Sequence, residues 1–219
     1  MSHRTHSFVR RRIDVLAAAG GLALLTICAL IARNGRVGRT EQDVFEAINH
    51  LSGGLAPVMH DAQYLGVLAI GPVVVVIALI LRRWRLAAAA LIVTAGKLAA
   101  ERLVWQVVQR DRPGTTEPNA IVRAGTPTTG VSFVSGHVVL TAALAWIVMP
   151  YLPGRWKIAP WVVVALVSFA RIYLGAHNPL DVLGGLALGL AIGAIANLIV
   201  ACPETTERPE PKAPAVRTD

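Results

Sequence analysis

Residues 179–200 read PLDVLGGLALGLAIGAIANLIV, and this stretch decides the fold. Asn178, just before it, is a helix-capping type. Pro179 suits the first helical position, and Asp181 falls in the first turn, where a carboxylate meets the positive end of the helix dipole. From Val182 to Val200 no ionisable side chain follows. An apolar run of that length crosses a hydrocarbon core of about 30 Å. Gly185, Gly189 and Gly193 recur at every fourth position, a spacing that lets a second helix approach closely. They read as a packing stripe rather than a substrate contact.

Working outward, five more apolar runs precede it: Ile13–Ala32, Tyr64–Leu81, Leu86–Val108, His137–Leu152 and Ile158–Leu174. The predicted fold class is therefore all-α, a polytopic membrane protein with six transmembrane helices in a bundle. A hydrophobic content of 54% fits this and is more than a soluble domain of this length ordinarily carries. The formal net charge is +8, but the basic residues sit between apolar runs and not on an aromatic-laced polar surface, which argues against a nucleic-acid partner. Arg4 and Arg10–Arg12, then Arg82, Arg83 and Arg85, then Arg155 and Lys157 fall on one side, the expected cytoplasmic side. Arg33, Arg36 and Arg39 on the other side weaken that contrast. Arg10–Arg12 before an apolar run also resembles a signal peptide, but the run is longer than a signal core and no cleavage site follows. The expected organisation is a basic cytoplasmic arm over 1–12, a transmembrane domain over 13–202, and a disordered cytoplasmic tail over 203–219, rich in Pro, Glu and Thr. Cys28 and Cys202 show neither metal-ligand spacing nor a disulfide framework.

Between the first two runs, Thr40-Glu41-Gln42-Asp43 resembles a capping box, and Val44, Phe45, Ile48 and Leu51 recur at helical spacing. This predicts a short amphipathic helix on the outer surface. His50, His60 and Asp61 nearby read as interfacial polar residues. The connection over 109–134 is long and polar, a length that compact proteins keep for a use.

Ionisable residues next to membrane spans are costly and mark candidate sites. Three clusters fall at the outer ends of the runs. Arg110-Asp111-Arg112-Pro113 closes the third. Ser132-Phe133-Val134-Ser135-Gly136-His137 opens the fourth, with Ser135 at the cap position and the Gly136 and His137 amides at a helix N-terminus that favours an anion. Arg171, His177 and Asp181 join the fifth to the sixth. Each cluster taken alone has a plain structural reading as a cap or a headgroup contact. Together they supply arginines for phosphate oxygens, two histidines for nucleophile and acid roles, and a carboxylate four residues after a histidine, placed to hold one ring nitrogen.

The order and spacing of Arg112-Pro113, Ser135-Gly136-His137 and Arg171-x5-His177-x3-Asp181 resemble the type 2 phosphatidic acid phosphatase family, whose fold is shared with vanadium haloperoxidases and bacterial acid phosphatases. The resemblance covers roughly 86–200. Three positions depart from the pattern: Trp105 stands where the family has lysine, Val134 where it has proline, and Ala170 where it has serine. Arg102, one helical turn deeper than Trp105, or Arg110 is the expected replacement for the lysine, with Arg123 as another source of charge from above. Arg102 reads equally well as a partner of Glu101 or of headgroups.

The resemblance implies that His177 attacks phosphorus, Asp181 orients His177, and His137 protonates the leaving oxygen and then activates water. Arg112, Arg171, Ser135 and the Gly136 amide would bind the phosphoryl oxygens, with no metal and no cofactor. The expected function is hydrolysis of a lipid phosphate at the outer face of the plasma membrane, with both termini cytoplasmic. Polyprenyl diphosphate is the first candidate substrate, then phosphatidic acid or phosphatidylglycerol phosphate. Transfer of a phosphoryl or headgroup to another acceptor, and a catalytically impaired lipid-binding or transport protein, are the competing readings. Oligomeric state is not legible.

Overall fold

The computed structural model describes residues 8–203. Residues 1–7 of the basic arm and 204–219 of the predicted tail lie outside that range. Nine helices follow one another among the described residues: α1 (Arg12–Ala32), α2 (Arg39–Asn49), α3 (Ala56–Gln63), α4 (Ile70–Ile80), α5 (Trp84–Val107), α6 (Pro113–Thr116), α7 (Gly136–Val148), α8 (Ala159–Tyr173) and α9 (Pro179–Val200). Two short strands, β1 (Phe8–Val9) and β2 (Cys202–Pro203), pair antiparallel and join the two ends of the described chain. Pro203, assigned to the tail, thus belongs to the folded part.

The all-α membrane bundle expected from the sequence is the architecture found. α1, α4, α5, α7, α8 and α9 occupy the six apolar runs and pack side by side. Among the described residues, three helical stretches are long and apolar enough to cross a membrane alone: Arg12–Ala32, Gly154–Tyr173 and Pro179–Val200. A fourth is the pair Gly53–Gly66 and Ile70–Ile80, bent by 60°. α5 misses because it carries Arg85, Lys97, Glu101 and Arg102, and α7 because it is only 13 residues long. The run read as Tyr64–Leu81 is therefore not one straight helix. It opens as a 3-10 turn, Tyr64–Gly66, and becomes α4 only at Ile70. The turn is pressed against α7: a Cβ on Gly66 would lie 2.8 Å from the His137 Cβ.

α7 is the central helix. Every residue from Val138 to Ile147 is buried, which is why its sequence is apolar on all sides and lacks a polar face. Residues on the outer helices such as Leu16, Ile80, Leu91 and Val107 instead point outward, as lipid-facing side chains do. The glycine stripe sets the α7–α9 contact. A Cβ at Gly185 would sit 2.8 Å from the Ser135 carbonyl, at Gly189 2.5 Å from the Val139 carbonyl, and at Gly193 2.8 Å from the Ala143 carbonyl. α1 lies against the same helix, where a Cβ on Gly21 would sit 2.7 Å from the Ala187 carbonyl.

Polar pairing pins the two ends of the bundle. At one end Asp14, fully buried near the start of α1, accepts hydrogen bonds from Arg11, from Trp146 Nε1 at 2.8 Å and from Asn197 Nδ2 at 3.3 Å, tying α1 to α7 and α9. At the opposite end α2 and α3 cover the rim. α2 is amphipathic as expected, with Phe45 and Asn49 turned in. The capping box expected at Thr40–Asp43 does not form. The helix starts at Arg39 behind Gly38, without a side-chain cap, so Thr40 already lies inside the first turn and cannot act as the cap, while the Glu41 carboxylate turns inward to Arg110.

Replacing Gly189 by Leu should force α7 and α9 apart. Overpacking of this kind costs about 1–3 kcal/mol, and the expected outcome is a lowered thermal unfolding midpoint for the detergent-solubilised protein. Gly20, which has open space around its Cα, serves as the control: Gly20→Leu should leave the midpoint in place.

Candidate active site

The three clusters converge at the rim beneath α2 and α3. Backbone pairing brings the first two together. Asp111 and Val131 form an isolated antiparallel bridge, and the Ser132 amide donates to the Arg110 carbonyl at 2.7 Å. The Ser135 amide donates to the Asp181 carbonyl at 3.0 Å, joining the second cluster to the third.

His177 lies in the turn between α8 and α9 and is almost wholly buried. Its Nδ1 is 2.9 Å from the Ser132 carbonyl oxygen, so Nδ1–H donates there and Nε2 keeps its lone pair. Burial first, then the nearby Arg171 and Arg112 guanidiniums and the His137 ring, push the imidazole well below its ordinary pKa. His177 is therefore neutral.

Asp181 does not hold His177 directly, contrary to the expectation from the i, i+4 spacing. Its Oδ2 is 3.9 Å from Nδ1, beyond hydrogen-bonding reach. That oxygen instead accepts the Ser132 hydroxyl at 2.5 Å and the Asn178 amide at 2.8 Å. The Ser132 hydroxyl is in turn 3.3 Å from Nδ1. Ser132 thus stands between the carboxylate and the ring. A serine three residues before the cap has no distinguishing local signal, so this role of Ser132 is not legible in the sequence.

Arg110 is a structural cation and not an open anion ligand. It is fully buried, paired through both terminal nitrogens with Glu41 (3.0 and 2.6 Å), and it donates to Asp181 Oδ1 at 3.1 Å. Glu41 also accepts the Leu180 amide at 2.9 Å. Arg102 points outward and is exposed, and Trp105 is likewise partly exposed. Neither residue expected to replace the lysine is thus available. Arg123 is occupied as well. It lies 3.6 Å over the Tyr173 ring and donates to the carbonyls of Tyr173, Asn49 (2.8 Å) and Leu51 (3.1 Å). Lys97 faces inward and pairs with Glu101 at 2.7 Å. His50 and His60 make local polar contacts with Asn119 and Gln63.

Arg112 and Arg171 remain directed into the cluster. Arg112 is braced by Nε to the Thr129 carbonyl (3.1 Å) and by Nη1 to the Ala176 carbonyl (2.9 Å), leaving Nη2 without a protein acceptor among the described residues. Arg171, at the end of α8, is aimed by Gln63 of α3, whose Oε1 accepts from Nη1. Gln63 was not legible as a site residue, since its partner lies 108 positions away. The Arg171 Nε is buried without a partner, and so is the Ser135 hydroxyl, although Ser135 is the cap residue of α7. Buried unpaired donors cost about 1–3 kcal/mol each, so two beside a helix N-terminus suit an anionic guest. His137 follows in the first turn of α7.

A helical bundle with arginines, two histidines and a helix N-terminus gathered at one rim has the architecture of a multi-pass membrane protein. The chain belongs to the PAP2 superfamily, whose pattern matches residues 86–202. Over 99 residues it is 37% identical to the decaprenylphosphoryl-5-phosphoribose phosphatase of Mycobacterium tuberculosis, covering 44% of this chain and 51% of that protein. Over 64 residues it is 39% identical to the lipid A 4'-phosphatase of Porphyromonas gingivalis, covering 28% and 26%. The chain therefore spans about half the length, or less, of the relatives it matches. Among solved structures it resembles the transmembrane PAP2-type phosphatidylglycerolphosphate phosphatase of Bacillus subtilis, with a TM-score of 0.63 at 21% identity over 81% of this chain and 94% of that one. It also resembles LpxE of Aquifex aeolicus, with a TM-score of 0.61 at 21% identity over 70% and 92%. These likenesses concern the fold.

Arg110→Met should strand two buried carboxylates. Removing one partner of a buried ion pair costs about 3–5 kcal/mol, and the expected outcome is a marked fall in thermal stability with or without vanadate. A variant as stable as the parent would show that Arg110 is not the structural cation described.

Proposed function

We propose that this protein is a lipid phosphatase that works through a phosphohistidine. The observation that carries the reading is the set of unpaired donors, Arg171 Nε and Ser135 Oγ, beside a neutral His177 whose Nδ1 is tied to a backbone carbonyl. The family and the names of its relatives support it. The Nε2 lone pair of His177 attacks phosphorus, and the phosphorus–oxygen bond to the lipid-linked alcohol breaks. His137 gives its proton to the departing oxygen. In the second step His137 takes a proton from water, the water oxygen attacks phosphorus, and free phosphate leaves as the His177 Nε2–phosphorus bond breaks. Arg112, Arg171, Ser135 and the first amides of α7 hold the equatorial oxygens, where fixed donors contribute most. Asp181 acts on His177 through Ser132, stabilising the positive charge that the ring acquires on attack.

The substrate class is a phosphomonoester carried by a membrane lipid. A groove of about 490 Å³ between α8 and α9, lined by Trp161, Val164, Val182, Leu186 and Leu190, starts at Pro179 beside the site and suits a hydrocarbon tail. The mycobacterial relatives put a polyprenyl-phosphoryl sugar phosphate first, ahead of polyprenyl diphosphate, phosphatidic acid and phosphatidylglycerol phosphate. On this reading the chain crosses the bilayer six times with both termini in the cytoplasm and the site on the outer side, an orientation that the basic residues of the loops favour.

His177→Ala should reduce phosphate release to background in a purified-protein assay across these lipids, while the unfolding midpoint stays near that of the parent. His137→Ala should slow release by about 10²–10⁴-fold. Vanadate should inhibit the parent and a chelator should not. Near-parental turnover in His177→Ala would reject the nucleophile.

A further inference from the structure

Lys97 and Glu101 form an i, i+4 ion pair on α5, Nζ to Oε2 2.7 Å, with side chains 13% and 8% exposed. Burying two charges inside an apolar bundle rarely adds stability over a well-packed apolar pair, and ionisable groups within a membrane protein's helices are kept for a use. The pair does not face lipid. A Cβ built on Gly136 would collide with the Glu101 carboxylate and lie 3.1 Å from Lys97 Nζ. The ammonium therefore stands against the first residue of α7, between Ser135, with its unpaired hydroxyl, and His137.

That position is unfavourable for a cation by itself, because the N-terminus of a helix is its positive end. It becomes favourable when an anion binds there. An ammonium has three donors, and Glu101 is its one ion-pair partner among the described residues. Trp105, at the position where the motif pattern has lysine, is turned partly outward, while both terminal nitrogens of Arg110 are taken up by Glu41 and Asp181 and Arg123 donates to backbone carbonyls.

We propose that Lys97 is the phosphate-binding cation that completes the site, held ready by Glu101 and presented to the tetrahedral oxyanion at the N-terminus of α7. This rests on the phosphatase reading above. Only Gly at position 136 leaves room for the pair to reach the site, so the glycine serves the cation as well as the backbone donors. Glu101 keeps the ammonium aimed and offsets its charge until phosphate arrives.

The deciding variant is Lys97→Met combined with Glu101→Gln, which removes both charges and leaves none stranded. Phosphate release from a polyprenyl-phosphoryl sugar phosphate, or from the best lipid of the panel, and inhibition by vanadate are measured on purified protein. Losing a charge-assisted contact should weaken vanadate inhibition and raise KM by about tenfold or more in both Lys97→Met and the double variant. Parental vanadate inhibition in the double variant, with Lys97→Met alone impaired, overturns the proposal, because Lys97 would then only neutralise Glu101. Should neither variant fold, Lys97→Arg decides. It keeps the ion pair but changes the head group, so a shift in vanadate inhibition supports contact with the anion and an unchanged value overturns it. A parent that neither releases phosphate nor responds to vanadate overturns the phosphatase reading itself, and this inference with it.

Discussion

A fully buried guanidinium between two carboxylates organises the rim of this bundle. Arg110 is unexposed, and its charge is tolerable only because Glu41 grips both terminal nitrogens and Asp181 takes a further bond. Each partner comes from a different part of the chain: α2, the loop after α5, and the first turn of α9. The full set of bonds forms only when all three segments have docked. The pair then propagates. Glu41 also receives the Leu180 amide, and Asp181 receives Ser132 and Asn178, so the turn carrying His177 is fixed by the same charges. α2 is thereby part of the site's foundation as well as a surface helix.

The opposite end of the bundle uses the same physics for a simpler purpose. Asp14 gathers Arg11, Trp146 and Asn197 and so fixes the height of α1 against α7 and α9. Between the two polar knots the helices meet through glycine and alanine, with Gly21, Gly185, Gly189 and Gly193 in backbone contact. Such interfaces leave little freedom to slide. The start of α7 and the start of α9 are held at one level, where the Ser135 amide donates to the Asp181 carbonyl.

Much of this was legible in the chain. The apolar runs, the glycine stripe and the spacing of Arg112, Ser135, Gly136, His137, Arg171, His177 and Asp181 are local patterns, and the structure brings those residues to one rim. What escaped was tertiary. Arg110 meets Glu41 across 69 positions and Arg171 meets Gln63 across 108, and no periodicity announces either pair. Thr40–Asp43 satisfies a local capping rule, but the helix begins earlier, at Arg39, which leaves Thr40 inside its first turn. The i, i+4 spacing of His177 and Asp181 suggested a direct bond, but Asp181 has to cap the Asn178 amide, and that turns its carboxylate toward Ser132 instead. Next to the bend before α4, Gly66 yields space to His137, a contact between distant segments that local pattern does not announce.

The charges of the site fall into two groups with different tasks on the proposed route. Arg110 with Glu41 and Asp181 leaves one negative charge in excess, next to a neutral His177. When Nε2 attacks phosphorus the ring becomes positive, and that excess is where it is needed, relayed through the Ser132 hydroxyl and not through a direct carboxylate bond. Arg112 and Arg171, together with the α7 N-terminus, form the other group and carry a positive excess for the phosphoryl oxygens. Lys97 and Glu101 are balanced until an anion arrives, so they add a donor without adding repulsion among the guanidiniums beforehand. Keeping the two groups distinct lets the site stabilise cation and anion in the same step. In a weakly polarisable interior, where Coulomb interactions are little screened, the relative placement of these few charges matters more than their number.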